Sequence, residues 1–260
     1  MDLTNATVLV TGASRGIGRA LLEAFAGTGA AVVGCARSEA ALSDAVEDAR
    51  AAHPGVGDGA ERGGEGTERD GGEVVTDGER LVEGVRADVR SEADVERVVE
   101  VAATLGERDG IDVLVANAGV KQGRSGEMPI HEEPYDRFDE TVGTNLRGVF
   151  SAAKETVGRM PGTGRILVPS GSIAVDAKAG MGAYAVSKAA AEALVRQLAV
   201  DAEQTAAVVD PGLVDTDLSD GDGRSPEEVA EMFVWAAADA DADAIDGERI
   251  DLRTWMRATR

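Results

Sequence analysis

The chain has 260 residues, with 48 Asp and Glu against 26 Lys and Arg, a formal net charge of -22, two histidines and one cysteine. That balance argues against nucleic acid or an anionic membrane held through a broad basic face, and Cys35, His53 and His131 make neither a disulfide nor a zinc site. No apolar run is long enough to span a bilayer and the amino terminus enters its first strand without a leader pattern, so one cytoplasmic domain over residues 1–260 is expected, with no metal.

Residues 6–10 form an apolar run, followed by Thr11-Gly12-Ala13-Ser14-Arg15-Gly16-Ile17-Gly18 and a helical stretch over 19–26. Glycines at 12, 16 and 18 allow a tight turn, close backbone approach to an anion and tight helix-to-strand packing, with the helix amino terminus facing the anion. A dinucleotide pyrophosphate fits that geometry, although the spacing Gly-x-x-x-Gly-x-Gly differs from Gly-x-Gly-x-x-Gly. Gly12, Ser14, Arg15, Gly16, Ile17 and Gly18 are therefore expected cofactor contacts.

Residues 30–36 read as a buried parallel strand ending at Arg37. At the end of this strand an acid favours a free ribose 2′-hydroxyl and a base favours a 2′-phosphate. Arg37, with Arg15 nearby, predicts NADP(H) in preference to NAD(H). A helix follows over 38–52, stopped by His53-Pro54. Residues 55–79 are glycine-rich, acidic and poor in large apolar groups, a composition expected to form a disordered surface insertion.

Residues 85–89 predict a third strand, and 91–105 a helix. Asp88, with Val89 beside it, either meets the adenine amino group or caps that helix. Residues 111–115 predict a fourth strand leading into Asn117-Ala118-Gly119, at the carboxyl end of the sheet where ligands bind in open α/β folds. A long helical region over 135–160 carries Asn145, a poor helix-interior residue unless its amide is used.

The fifth strand is 166–168, followed by the loop Pro169-Ser170-Gly171-Ser172. The next helix opens at Tyr184-Ala185-Val186-Ser187-Lys188 and runs to about 200, so Tyr184 and Lys188 project from one face, one turn apart. Strands over 206–209 and 249–252 complete the series, with Pro211-Gly212 turning the chain and Ser225-Pro226 opening a helix between them. The alternation predicts a doubly wound, parallel α/β sheet of about seven strands in a single Rossmann-type domain.

With residues 11–18, Asn117-Ala118-Gly119, Asn145, Tyr184-x-x-x-Lys188 and Pro211-Gly212 in this order, the chain resembles the short-chain dehydrogenase/reductase family over nearly its whole length, including its oxoacyl and carbonyl reductases. The resemblance implies an oxidoreductase in which Tyr184 exchanges a proton with the substrate oxygen while hydride passes between carbon and nicotinamide. An unperturbed phenol has a pKa of about 10, which the Lys188 ammonium and the positive nicotinamide are expected to bring closer to working pH. By the same resemblance Lys188 holds the nicotinamide ribose and Asn145 anchors a water on a proton path.

The resemblance also implies cofactor contacts from Pro211, Gly212, Val214 and Thr216, the last at the nicotinamide carboxamide. Ser172, twelve residues before Tyr184 where the family more often has thirteen, is the substrate-orienting serine, with Ser170 as the alternative. The shift by one residue would need a bulge, which Pro169 could mark. The segment 217–224 is short and polar, which suggests an open pocket.

Two functions fit these residues: an NADP-dependent reductase or dehydrogenase of a small or medium-sized carbonyl or secondary alcohol, and a catalytically silent NADP-binding sensor or scaffold. The resemblance implies a homodimer or homotetramer. Lysine occurs only at positions 121, 154, 178 and 188 among acids spread along the whole chain. This composition resembles proteins adapted to a salty cytoplasm, where salt screens charge to within roughly 3 Å at 1 M.

Overall fold

The computed structural model describes residues 1–53, 82–219, 221 and 223–260. The predicted insertion at 55–79 lies outside the described residues. Seven strands, β1 (Thr7–Thr11), β2 (Ala31–Ala36), β3 (Val82–Arg86), β4 (Val113–Val115), β5 (Arg165–Pro169), β6 (Thr205–Asp210) and β7 (Arg249–Asp251), form one parallel sheet in the order β3-β2-β1-β4-β5-β6-β7. The helices are α1 (Gly16–Ala26), α2 (Glu39–Ala52), α3 (Glu92–Leu105), α4 (Tyr135–Val142), α5 (Gly148–Val157), α6 (Gly182–Asp201), α7 (Pro226–Ala238), α8 (Ala242–Ile245) and α9 (Leu252–Ala258). Among the described residues no helix is long and apolar enough to cross a membrane.

The inner strands β1, β2, β4, β5 and β6 are buried on both faces because successive side chains alternate between two cores. Val8 and Val10 of β1 pack with Phe25 of α1 and Phe233 of α7, whereas Leu9 packs with Val98 of α3 and Val195 of α6. The strand order reverses at β1, which pairs with β2 on one side and β4 on the other. Ligands bind outside the carboxyl ends at such a crossing.

Two strands, β3 and β4, differ most from expectation. β3 occupies Val82–Arg86, not 85–89, because the chain turns at Asp88: the Asp88 carbonyl accepts from Ser91 N at 2.9 Å. Ser91 caps α3, its hydroxyl accepting from Asp94 N at 3.3 Å, so the capping alternative for Asp88 is wrong. β4 is shorter than 111–115 because the Asp112 carboxylate accepts from Thr7 N at 2.9 Å.

No bulge marks Pro169. The β5–β6 register runs unbroken to Pro169↔Val209, and Ser170 N continues it to the Val209 carbonyl at 2.9 Å. Pro169 is tolerated because the β4 pairing ends opposite Leu167, leaving no strand on the side of the missing N–H.

The predicted start of α7 is a full capping box, with Glu228 N donating to Ser225 Oγ at 3.2 Å and Ser225 N donating to Glu228 Oε2 at 3.4 Å. Ser225→Ala is expected to cost about 1 kcal/mol. Thermal denaturation should show this as a fall of roughly 2–4 °C.

Candidate active site

A cleft of about 900 Å³ opens over the carboxyl ends of the strands. Its walls contain Gly12, Ser14, Arg15, Gly16 and Ile17 from the glycine turn, Arg37 beyond β2, and Asp88 and Val89 beyond β3. Asn117, Ala118 and Gly119 after β4 and Thr216 after β6 complete the predicted set. Gly18, Pro211, Gly212, Val214, Asn145, Ser172, Tyr184 and Lys188 do not line the cleft.

The glycine turn is built by close approach. Gly12 and Gly16 have φ of +70° and +53°, where a side chain is strained. Gly18 packs instead of lining: a methyl there would land on the Gly12 carbonyl and within 2.6 Å of Asn117 Nδ2. Asn117 Nδ2 donates to the Thr11 and Gly12 carbonyls at 2.9 and 3.2 Å, and Ala118 N donates to Thr11 Oγ1 at 3.0 Å. The residues after β4 thus hold the turn while α1 presents its amino terminus to the cleft.

At the far end, Arg37 is about half exposed and pairs with Glu140 of α4 at 3.5 Å, with Arg90 near the same carboxylate. Asp88 makes a two-pronged pair with Arg90, at 3.0 and 2.6 Å, and this guanidinium holds the Asp88 carboxyl below its usual range. Arg15 pairs with Asp217 at 2.7 Å, both strongly exposed. Thr216 arches over the turn, its Cγ2 lying 3.1 Å from where a Gly16 side chain would begin. Cys35 lies beneath the cleft, and burial pushes its thiol up to about 12, so it is no nucleophile.

Gly119 links this cleft to the predicted chemical residues. Asn145 Oδ1 and Lys188 Nζ lie 3.6 and 3.9 Å from the position a Gly119 side chain would take. Asn145 sits in a π turn, Gly143–Arg147, inserted between α4 and α5. Such turns recur at functional sites. Its amide is used: Oδ1 accepts from Val120 N at 2.8 Å, and Nδ2 donates to the Val120 carbonyl at 2.9 Å and to Ser187 Oγ at 3.0 Å. Both amide donors are therefore spent on protein partners, which explains the asparagine inside a helix.

Tyr184 and Lys188 do share one face of α6, with Nζ 5.9 Å from the Tyr184 ring centre. Lys188 Nζ donates to the Pro169 carbonyl at 2.9 Å. Burial pushes Lys188 down to about 8, opposed by the charge of Glu192, and burial raises the Tyr184 phenol. In the protein alone the phenol thus moves up, not down as expected, and its removal from water is the cause.

Ser172 is exposed on a 3-10 turn, Ser172–Ala174, where its hydroxyl accepts from Lys178 Nζ at 3.2 Å. Ser170, the alternative, points its hydroxyl away to Glu192 at 2.6 Å. Pro211 and Gly212 form the turn after β6, with Gly212 N donating to Asp210 Oδ1 at 3.0 Å, and Val214 is buried.

Sequence reasoning missed Thr144, whose hydroxyl is buried in the cleft wall without a hydrogen-bond partner among the described residues. It is the neighbour of Asn145, the one signal that could have pointed to it. It also missed Glu133, which accepts from Ala183 N at 2.5 Å and supplies the cap that Met181 does not give α6.

The turn geometry, the volume of the cleft, the guanidinium groups in its lining and the orphan Thr144 hydroxyl fit a nicotinamide dinucleotide. The family model for short chain dehydrogenase matches residues 6–62, and that described as Enoyl-(Acyl carrier protein) reductase matches residues 62–245. The chain is 32% identical over 237 residues to an NADPH-dependent aldehyde reductase-like protein, chloroplastic, of Arabidopsis thaliana, covering 89% of this chain and 80% of that one. It is also 32% identical over 254 residues to the cyclic-di-GMP-binding biofilm dispersal mediator protein of Escherichia coli, covering 90% of each. Among solved structures it resembles a blue fluorescent protein from a metagenomic library in complex with NADPH, with a TM-score of 0.77, 26% identity and coverage of 97% and 98%. Ordered motifs, parallel seven-stranded sheet and family match together show that the chain belongs to the short-chain dehydrogenase/reductase family of oxidoreductases.

Proposed function

We propose that the protein is an NADP(H)-dependent reductase of small or medium-sized carbonyl compounds, with Tyr184 as the proton donor. The observation that carries this reading is the convergence of Lys188 and Asn145 on Gly119, at the cleft wall, with Tyr184 one helical turn from Lys188. The NADPH-dependent aldehyde reductase-like relative supports it.

Gly12, Ser14, Gly16 and Ile17 would hold the pyrophosphate through backbone N–H groups, and Asn117, Ala118 and Gly119 would flank the ribose. Val89 and Asp88 would meet the adenine, and Thr216, reached through Pro211, Gly212 and Val214, the carboxamide. Bound nicotinamide supplies the hydride. Burial raises the Tyr184 phenol and so favours its protonated form, the one that can give a proton to a carbonyl oxygen. Lys188, largely an ammonium near pH 7, would hold the ribose hydroxyls and return the proton. Ser172 would orient the carbonyl.

Arg37 and Arg15 would grip the 2′-phosphate. Both are held by carboxylates, but at exposed positions such pairs contribute only about 0–1 kcal/mol, so a phosphate can displace them. Titration with NADPH and NADH by nicotinamide fluorescence, in molar salt, tests this. Arg37→Asp is expected to weaken NADPH by about tenfold or more, the loss of a charge-assisted contact, and to leave NADH nearly unchanged. Equal weakening of both cofactors would refute the clamp. A screen of ketones and aldehydes for NADPH consumption then tests the reaction itself.

The exposed position of Ser172, held by Lys178, favours the second reading, an NADP-binding sensor or scaffold without turnover. Phe150 of α5 and Val186 of α6, each about half exposed, support pairing of these helices in a homodimer or homotetramer.

A further inference from the structure

Behind Lys188 lies a second polar cluster that none of the predicted site residues explains. Glu192, one turn further along α6, is only 4% exposed. Its Oε1 accepts from Ser170 Oγ at 2.6 Å and from Arg249 Nη1. Arg249 Nη2 donates to Asp210 Oδ2 at 2.7 Å, while the other Asp210 oxygen accepts from Gly212 N. Successive turns of α6 therefore grip successive residues at the end of β5: Lys188 the Pro169 carbonyl, Glu192 the Ser170 hydroxyl. The same carboxylate reaches through Arg249 of β7 to Asp210 of β6, which ties down the Pro211-Gly212 turn.

Stability alone does not account for this arrangement, because buried ion pairs are often no better than apolar residues of equal volume. Its place does. The cluster joins the helix that carries Tyr184 and Lys188 to the loop that carries Ser172 and to the turn after β6. We propose that Glu192 is a positioning residue of this active site, which fixes α6 against the ends of β5, β6 and β7 through Ser170 and Arg249 and supplies the counter-charge for the Lys188 ammonium. The proposal rests on the reading of Lys188 as the cofactor-holding and proton-returning group.

The surroundings of Lys188 make Glu192 decisive. On its own helix Lys188 faces Tyr184 and Glu192. From other elements it meets the Pro169 carbonyl, the neutral Asn145 lies like it beside Gly119, and Arg249 and Asp210 lie beyond Glu192. Burial pulls Lys188 down to about 8, and Glu192 is the charge that opposes the fall. Without Glu192, Lys188 should lose its proton nearer neutral pH.

Only four lysines occur in the chain, so lysine side chains labelled with 13C at Cε can be titrated one by one by NMR, with Lys188→Arg to assign the resonance. The experiment uses the protein without substrate, so it stands apart from the carbonyl screen. In wild type one lysine should titrate near pH 8, and in Glu192→Gln the same resonance should titrate about one pH unit lower or more. Should Glu192→Gln fail to fold with Arg249 left half-paired, Glu192→Gln with Arg249→Met removes both charges and should show a smaller fall in the same direction, because the lost guanidinium no longer repels the ammonium. A Lys188 that titrates at the wild-type pH in the folded variant overturns the proposal and leaves the reductase reading untouched. Where turnover is found, the alkaline limb of kcat/KM should move down with the resonance. A loss of rate with no movement of the limb would reduce Glu192 to a packing role.

Discussion

Tyr184→Phe is expected to lower kcat about 10³-fold, within the 10²–10⁴ range of a lost general acid, and to leave NADPH affinity nearly unchanged. The substitution removes one oxygen and keeps the ring. The ring's contact with the Lys188 ammonium, the Lys188 bond to the Pro169 carbonyl and the Glu133 cap on Ala183 N all survive it. None of the cleft-lining residues changes either. Burial holds Tyr184 as a phenol, so the lost function is proton donation to the developing alkoxide and not a static charge. NADPH consumption at 340 nm and a parallel fluorescence titration separate the two effects. A variant that keeps more than a tenth of wild-type turnover would place the proton source elsewhere. A wild type that binds NADPH tightly but turns over no carbonyl compound would bring the sensor reading forward.

Gly18→Ala is expected to be the most damaging single methyl in the glycine turn, costing about 3 kcal/mol, the upper part of the range for overpacking. The clash is with the Gly12 carbonyl, a backbone atom, and with Asn117 Nδ2, which is itself fixed to that carbonyl and to Thr11. Neither neighbour can rotate away. Relief requires α1 to slide off β1, which moves the helix amino terminus and Gly16 away from the cleft. NADPH affinity should therefore fall by roughly 10-fold or more, since about 1.4 kcal/mol of lost contact is a factor of ten. Urea denaturation reads the first effect and cofactor titration the second. Wild-type values in both would show that α1 packs with more freedom than the close approach at Gly18 implies.

The parts of the molecule legible in the sequence are those set by neighbours along the chain. The glycine turn between an apolar run and a helix, the buried strands, the Ser225 cap and the shared face of Tyr184 and Lys188 all follow from local steric rules and from the periods of helix and strand. Most of the residues that the motifs mark as candidate cofactor contacts line one cleft.

Other features depend on residues far apart in the chain. Glu133 caps α6 fifty residues away, Glu140 holds Arg37 from a different helix, and Glu192 meets Arg249 across three strand ends. No spacing rule announces such pairs, because they form only where the fold brings residues far apart in the chain side by side. The Asp88 turn is similar: a strand-like run in sequence ends early once its carboxylate finds Arg90. The direction of the Tyr184 shift shows the same division most clearly. By itself the sequence determined that a phenol and an ammonium lie one turn apart. Only the tertiary structure decided how much water each keeps, and desolvation, which depends on everything packed around the pair, moves the phenol up and the ammonium down.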